Sequence, residues 1–177
     1  MKLFFAFLSF VTVVFTSVAS AQTTISRSAI NFKIKNLGIS TSGTIGGMQA
    51  SIHFNPADLN NSTIEATVET STLNTENSGR DEHIKNEDFF DVTRYPKITL
   101  KSLVIKHKGG NKYVGTFSLT IKAKTKQVEI PFTYTEKGNI SAFNGSFTIN
   151  RLDYGVGSES MILANEVNIN IDAEVNK

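Results

Sequence analysis

No cysteine occurs in the 177 residues, which excludes disulfides, thiolate nucleophiles and cysteine-ligated metal sites together. Whatever holds the chain folded is its core alone. Charge of one sign is also lacking. The formal net charge is +2 and drops to about +1 without Lys2, too little to argue for a nucleic-acid partner. Lysines are spread along the chain instead of clustered, the pattern of a solvated surface. His53, His83 and His107 share no metal-ligand spacing. Neither a Gly-x-Ser-x-Gly elbow nor a phosphate-cradling Gly-x-x-x-x-Gly-Lys is present. No catalytic constellation follows, and a non-enzyme is expected. There is no internal repeat and no interdomain linker.

A long apolar run is missing except at the start. Residues 3–18 are rich in Phe and Val but fall short of the roughly 20 residues a spanning helix needs. Ser9, Thr12, Thr16 and Ser17 break the run further. With Lys2 before it and the small residues Ala19 and Ala21 after it, the stretch reads as a cleaved signal peptide over residues 1–21. The expectation is an exported, periplasmic or secreted domain over residues 22–177, without stable membrane insertion. No cysteine follows the small residues, so a lipid-anchored form is excluded.

What the chain has in abundance is two-residue alternation. Ile30, Phe32 and Ile34 alternate with Asn31, Lys33 and Lys35, the mark of a half-buried strand. Residues 40–45 continue extended, and Gly46-Gly47 is read as a turn, with the glycines of residues 43–47 as a hairpin. Ala50, Ile52 and Phe54 alternate up to Asn55-Pro56, and Ile64, Ala66 and Val68 form another strand. Ile98 and Leu100 begin a strand whose phase slips at residues 103–105, as either a bulge or an end of the barrel would explain. Gly109-Gly110-Asn111 and Lys137-Gly138-Asn139 are hairpin turns. Between them, Tyr113, Gly115, Phe117, Leu119 and Ile121 share one face, and Val128, Ile130, Phe132 and Tyr134 another. Pro131 assigns its strand to an edge or a bulge. The last strand is the cleanest, with Val167, Ile169, Ile171, Ala173 and Val175 inward. About eight strands with one apolar face each fit an all-β fold, either a closed antiparallel barrel or a sandwich.

The alternation stops only at residues 80–96, RDEHIKNEDFFDVTRYP. Ser78 is the expected N-cap, with Asp81 and Glu82 in the first turn and Lys85 at the other end. Asn86 offers a second cap before Glu87 and Asp88, so two short helical turns in tandem are expected, mainly over residues 79–91. Capping also accounts for Asp88 and Asp91. Pro96 ends the segment at Tyr95. Phe89 and Phe90 can both be buried only if the segment packs down onto something larger, as a lid or plug would.

This stretch resembles the signature of the YceI-like family of polyisoprenoid-binding proteins. Arg80, Asp81, His83, Asp88, Phe89, Phe90, Asp91, Tyr95 and Pro96 match it, with Ile84 where leucine is usual. FKIKNLG (32–38), FNPADLNNSTIEATV (54–68) and INRLDYG (149–155) are similar in the same order, with Tyr154 where phenylalanine is commoner. The resemblance selects the barrel: an eight-stranded, lipocalin-like antiparallel barrel with a short helical lid. It also implies a ligand, a polyisoprenoid or similar long apolar chain such as a prenyl quinone, prenyl phosphate, fatty amide or fatty acid. No other cofactor is expected.

An eight-stranded barrel is just wide enough to be filled by side chains or to hold one small ligand. Phe32, Phe117, Phe132, Tyr134, Phe143 and Phe147 lie on or near the apolar faces, so both a filled core and a ligand cavity stand at this point. With the resemblance, these residues and Phe89, Phe90, Tyr95 and Tyr154 become the candidate ligand contacts. Arg80 with Asp81 and His83, and Arg151 with Asp153, admit two roles: holding a polar head at the mouth, or pinning the lid through ion pairs and caps. The structural role is preferred, because each arginine has a carboxylate close in sequence. An exported lipid carrier and an interaction module with a filled barrel are the two function classes. Oligomeric state is left open, a dimer included.

Overall fold

The structure, a computed structural model, describes residues 24–176. The signal peptide expected over residues 1–21 lies outside them. Eight strands run in chain order: β1 (Ile25–Asn36), β2 (Ile39–His53), β3 (Thr63–Asn74), β4 (Lys97–His107), β5 (Lys112–Ile121), β6 (Lys124–Lys137), β7 (Ile140–Asn150) and β8 (Leu163–Asn176). Each pairs antiparallel with the next, and β8 closes onto β1 to give a barrel in simple sequential order. Closure removes every sheet edge, which a hairpin meander of this length needs to avoid open-edge pairing. Single 3₁₀ turns stand at Leu59–Asn61 and Arg151–Tyr154.

Alternation fixes the register. Ile30, Phe32, Ile34 and Asn36 of β1 face inward, opposite Ile171, Ile169, Val167 and Leu163 of β8. On β5 every second residue from Tyr113 to Ile121 is buried. The phase slip in β4 is a bulge between Ser102 and Val104, one of the two expected causes. Pro131 sits where β6 and β7 part: their pairing covers only Phe132 to Lys137. The barrel is closed, yet locally this proline has the open side it needs.

Two expectations need correction. Gly46-Gly47 is not a turn and residues 43–47 are not a hairpin, because β2 runs unbroken through them. The hairpin lies earlier, at Leu37 and Gly38, both with positive φ. The glycines serve close approach and a bulge instead. A Cβ on Gly43 would stand 2.4 Å from the Phe32 ring and 2.8 Å from the Asn74 carbonyl. Register against β3 shifts between Gly46 and Gln49, beside Gly47 at φ +66°.

The second correction concerns the helical segment. One helix forms, α1 (Ser78–Lys85), and its N-cap is Asn77, whose side chain accepts from the Arg80 amide at 2.9 Å. Ser78 is already helical. No second helix follows Asn86. Backbone turns do, with the Asn86 carbonyl accepting from the Phe89 and Asp91 amides. Asp91 adopts a left-handed φ of 48°. Asp88 and Asp91 thus lie beyond the C-terminal end of α1 and cannot cap its start.

Connections alternate between the two ends of the barrel. One end carries the β1–β2 hairpin, α1 with its tail, the β5–β6 hairpin at Lys122-Ala123, and the loop from Arg151 to Ile162. The other end carries the β2–β3 loop and the hairpins around Gly109 and Gly138. This segregation gives the barrel one dressed mouth and one compact floor.

Candidate functional site

The floor is built from aromatic rings. Phe54, where β2 ends, turns in among Tyr113, Phe132, Tyr134 and Phe143, with ring centroids 4.6 to 6.0 Å from its own. Tilted and edge-on contacts of this kind are favourable beyond their buried area. The Tyr134 hydroxyl bonds Glu136 and lies 3.3 Å from Ser141 Oγ. Burial first, and then the bond to the Glu136 carboxylate, raise the pKa of that phenol above its usual value. Tyr134 therefore belongs to the plug.

Above the plug the barrel is hollow. A cavity of about 270 Å³ extends toward the mouth, lined by Ile30, Phe32 and Ile34 of β1, Phe117 and Leu119 of β5, Phe147 and Ile149 of β7, and Val167, Ile169 and Ile171 of β8, among others. The β8 wall from Leu163 to Ala173 is about 30 Å of strand, or roughly 20–25 Å along the axis at the usual tilt. Hollowness explains why Val167, Ile169 and Ile171 are only half-buried although they point inward. The filled-core alternative does not hold for this half of the barrel.

The mouth is covered by the lid. Ile84 of α1 and Phe89 and Phe90 of its tail reach the cavity. Phe90 packs against both the Ile30–Leu73 side and the Leu119–Tyr154 side of the core. Bonds at several points hold this segment down. Gly157 N donates to the Asp88 carbonyl (2.9 Å), Lys122 Nζ to the Glu87 carbonyl (2.9 Å), and Thr70 Oγ1 to the Tyr95 carbonyl (2.8 Å). At Gly157, φ +67°, a Cβ would meet Arg151 Nη1 and the Phe89 ring at 2.9 Å each.

Both arginines stand at the mouth, but neither forms the expected ion pair. Arg80 donates from Nε to Thr75 Oγ1 and from Nη2 to the Thr75 carbonyl, each at 2.7 Å. Asp81 accepts from the same threonine, from its amide at 2.7 Å and its hydroxyl at 2.6 Å. Thr75, 5% exposed, thus joins arginine and aspartate without a direct bridge. Its hydroxyl bond, ahead of other causes, lowers the Asp81 pKa below the usual carboxylate value. Arg151 is buried, 3% exposed, and has no carboxylate partner. Its guanidinium donates to the carbonyls of Ala164 (3.0 Å), Val156 (2.8 Å), Ser158 (2.8 Å) and Leu163 (3.4 Å), and to Asn165 Oδ1 (3.1 Å). It gathers the β7–β8 loop around one cation, and burial lowers its pKa. Asp153 is exposed and takes no part.

Of the other candidates, Phe32, Phe89, Phe90, Phe117, Phe132, Phe143, Phe147 and Tyr154 line the cavity. Tyr95 does not, engaging instead through its backbone, and His83 lies outside with its ring 4.9 Å from that of Phe89. Tyr154 is 1% exposed, and burial lifts its hydroxyl pKa to about 12. Sequence reasoning missed the aliphatic walls contributed by Ile45, Met48 and Leu73, and the rim residues Asn36, Thr41 and Thr75. Alternation in β1 continues past Ile34 to Asn36, so that rim position was legible. Among the described residues no cluster of three or more His, Asp or Glu could hold a metal, and no helix is long and apolar enough to cross a membrane.

A deep apolar cavity with a lid segment at its mouth, a plugged floor and few polar groups defines a β-barrel of the lipocalin-like kind. The chain belongs to the YceI-like domain family, which it matches over residues 11–175. It is 32% identical over 134 residues to a UPF0312 protein of Pseudomonas syringae pv. tomato, covering 72% of this chain and 70% of that one. Among solved structures it is similar to BcnA of Burkholderia cenocepacia, with a TM-score of 0.79 and 28% identity over 83% of this chain and 95% of that one. The YCEI protein of Campylobacter jejuni aligns at 0.70 and 25%, covering 76% and 84% of the two chains. A polyisoprenoid binding domain from Saccharophagus degradans, 11% identical, shares the fold at 0.71 over 89% of this chain and 99% of its own.

Proposed function

We propose that the barrel holds one long apolar chain, of polyisoprenoid type, lengthwise between the aromatic floor and the Phe89–Phe90 lid, and carries it without turnover. The observation that carries this reading is the hollow half of the barrel, walled by aliphatic and aromatic side chains. Burying a CH₂ contributes roughly 0.8 kcal/mol, so ten buried groups supply about 8 kcal/mol before ordering costs. That suffices for micromolar binding without a strong polar anchor. The polyisoprenoid binding domain of Saccharophagus degradans supports the ligand class at the level of a shared fold. A polar head would lie at the mouth, where Arg80 lines the cavity and uses Nε and Nη2 on Thr75. Export through a cleaved leader would put the carrier in the periplasm or outside the cell, where a chain insoluble in water needs a container.

Organic extraction of freshly purified protein, followed by mass spectrometry, tests the reading. A prenyl lipid or comparable long-chain species in stoichiometric amount is expected. An extract without lipid, with no uptake of added prenyl quinone, would leave a barrel used for its surface.

A further inference from the structure

Large apolar side chains exposed to water are not spread evenly over the barrel. Seven are found among the described residues, and four of them, Leu37 (69% exposed), Ile39 (72%), Met161 (105%) and Ile162 (54%), meet at the mouth. Single exposed apolar residues need no explanation, but a contiguous group does. These belong to two loops, the β1–β2 hairpin and the end of the β7–β8 connection, tied by a 2.7 Å bond from Leu37 N to the Ile162 carbonyl. Both loops are shaped firmly. Leu37 is held at φ 50°, a conformation leucine rarely adopts, and Ser160 Oγ accepts from the amides of Ile162 and Leu163 at 3.2 Å. The chain thus accepts backbone strain while pointing leucine into solvent.

Position adds the second observation. Asn36 and Leu163, each one residue from this group, are cavity wall. Ile39 pairs with Asn36 across the hairpin, on the inward-facing side of the strand, yet stands above the rim. Through Leu163, next to Ile162 in the chain, the exposed apolar group therefore adjoins the apolar wall inside. Charge nearby is mixed, with Lys35 at the end of β1 and Glu159 on the β7–β8 loop both exposed, so contact would rest on apolar insertion more than on attraction to anionic heads. Four side chains at loop tips offer a few hundred Å², short of the roughly 800 Å² per partner that a stable protein pair buries.

We infer that this paired loop tip is a wedge that inserts into a lipid bilayer and sets the barrel mouth against the membrane, so that the ligand passes between bilayer and cavity without crossing water. The inference rests on the carrier reading for its purpose, but the contact itself can be measured separately. The probe is small unilamellar vesicles of phosphatidylcholine, with the triple variant Leu37→Asn, Met161→Ser, Ile162→Ser as comparison. None of the three residues lines the cavity, and asparagine tolerates the left-handed conformation at position 37. Wild type and variant carry the same N-terminus, so any contribution of residues 1–23 cancels.

The wild type is expected to sediment with vesicles and the variant to bind them at least tenfold more weakly. Transfer of a fluorescent prenyl probe from vesicle to protein should slow by a similar factor, while the amount of probe held when it is supplied from solvent stays unchanged. Equal vesicle binding by the two proteins, or none by the wild type, would overturn the wedge. So would a wild-type dimer that the variant abolishes without any vesicle binding, since the patch would then be covered by a second copy. If no probe is held by either protein while the vesicle difference persists, the carrier reading fails and the membrane contact stands.

Discussion

Replacing Arg151 by alanine removes a cation that five oxygens surround. Three of them, the carbonyls of Val156, Ser158 and Ala164, accept at 2.8 to 3.0 Å; the first two belong to the loop that also receives the lid through Gly157, and the third to the start of β8. A hydrogen bond to a charged group contributes about 1.5–3 kcal/mol, but bonds from one guanidinium are not additive, and stranded carbonyls recover part of the loss from water. The expected destabilisation is about 3–5 kcal/mol, comparable to losing one member of a buried charged network. Urea unfolding followed by far-ultraviolet circular dichroism measures it, with an unchanged slope showing that the same surface is exposed. Arg151→Lys keeps the charge but loses the planar fork, and should fall between wild type and alanine. A loss below about 1 kcal/mol together with poor ligand retention would refute the structural role and assign Arg151 to a head group.

Replacing Phe89 and Phe90 together by alanine should cost about 2–4 kcal/mol, since both rings are only partly buried, and should shift the chain lengths retained, read by mass spectrometry of extracts. Gly43→Val places atoms in the space of the Phe32 ring and the Asn74 carbonyl, and is expected to destabilise by about 1–3 kcal/mol in the same urea assay. Asp81 has a folded-state pKa below its unfolded value, so its contribution is present above the unfolded pKa and is lost as pH falls through the folded one. Stability of the wild type should therefore decline on acidification below about pH 4, and Asp81→Asn should flatten that part of the profile.

Much of the barrel is written in the sequence. Alternation from Val167 to Val175 and from Tyr113 to Ile121 specifies which side chains point inward, because a slip of one residue would reverse both faces. Turn chemistry was less reliable. Gly46-Gly47 has the composition of a hairpin, but the true turn uses Leu37 before Gly38, and the β5–β6 hairpin is made by Lys122 and Ala123, both at positive φ without glycine. Closure of the barrel overrides local preference at these points. The glycines were needed elsewhere, where Phe32 lies across Gly43 and β2 bulges past Glu69.

Legibility of the site follows the same line. Inward-facing aromatics could be named, but not which of them fill the floor and which line the hollow. That division depends on Phe54 folding back at the end of β2, a long-range packing event without a periodic signal. Nor could sequence distance reveal the arginine partners. Arg80 and Asp81 meet through Thr75, and Arg151 ignores Asp153 in favour of carbonyls 5 to 13 residues on.

The central claim is that an apolar chain lies along the barrel axis between floor and lid. Nuclear Overhauser spectroscopy on protein with labelled isoleucine methyls, loaded with a prenyl quinone, tests it most directly. Ligand-to-methyl contacts are expected at Ile30, Ile169 and Ile171, weakening toward the Phe54 plug. Contacts confined to outward-facing or loop-tip methyls such as Ile140 and Ile162, with none from Ile169 or Ile171, would contradict the account.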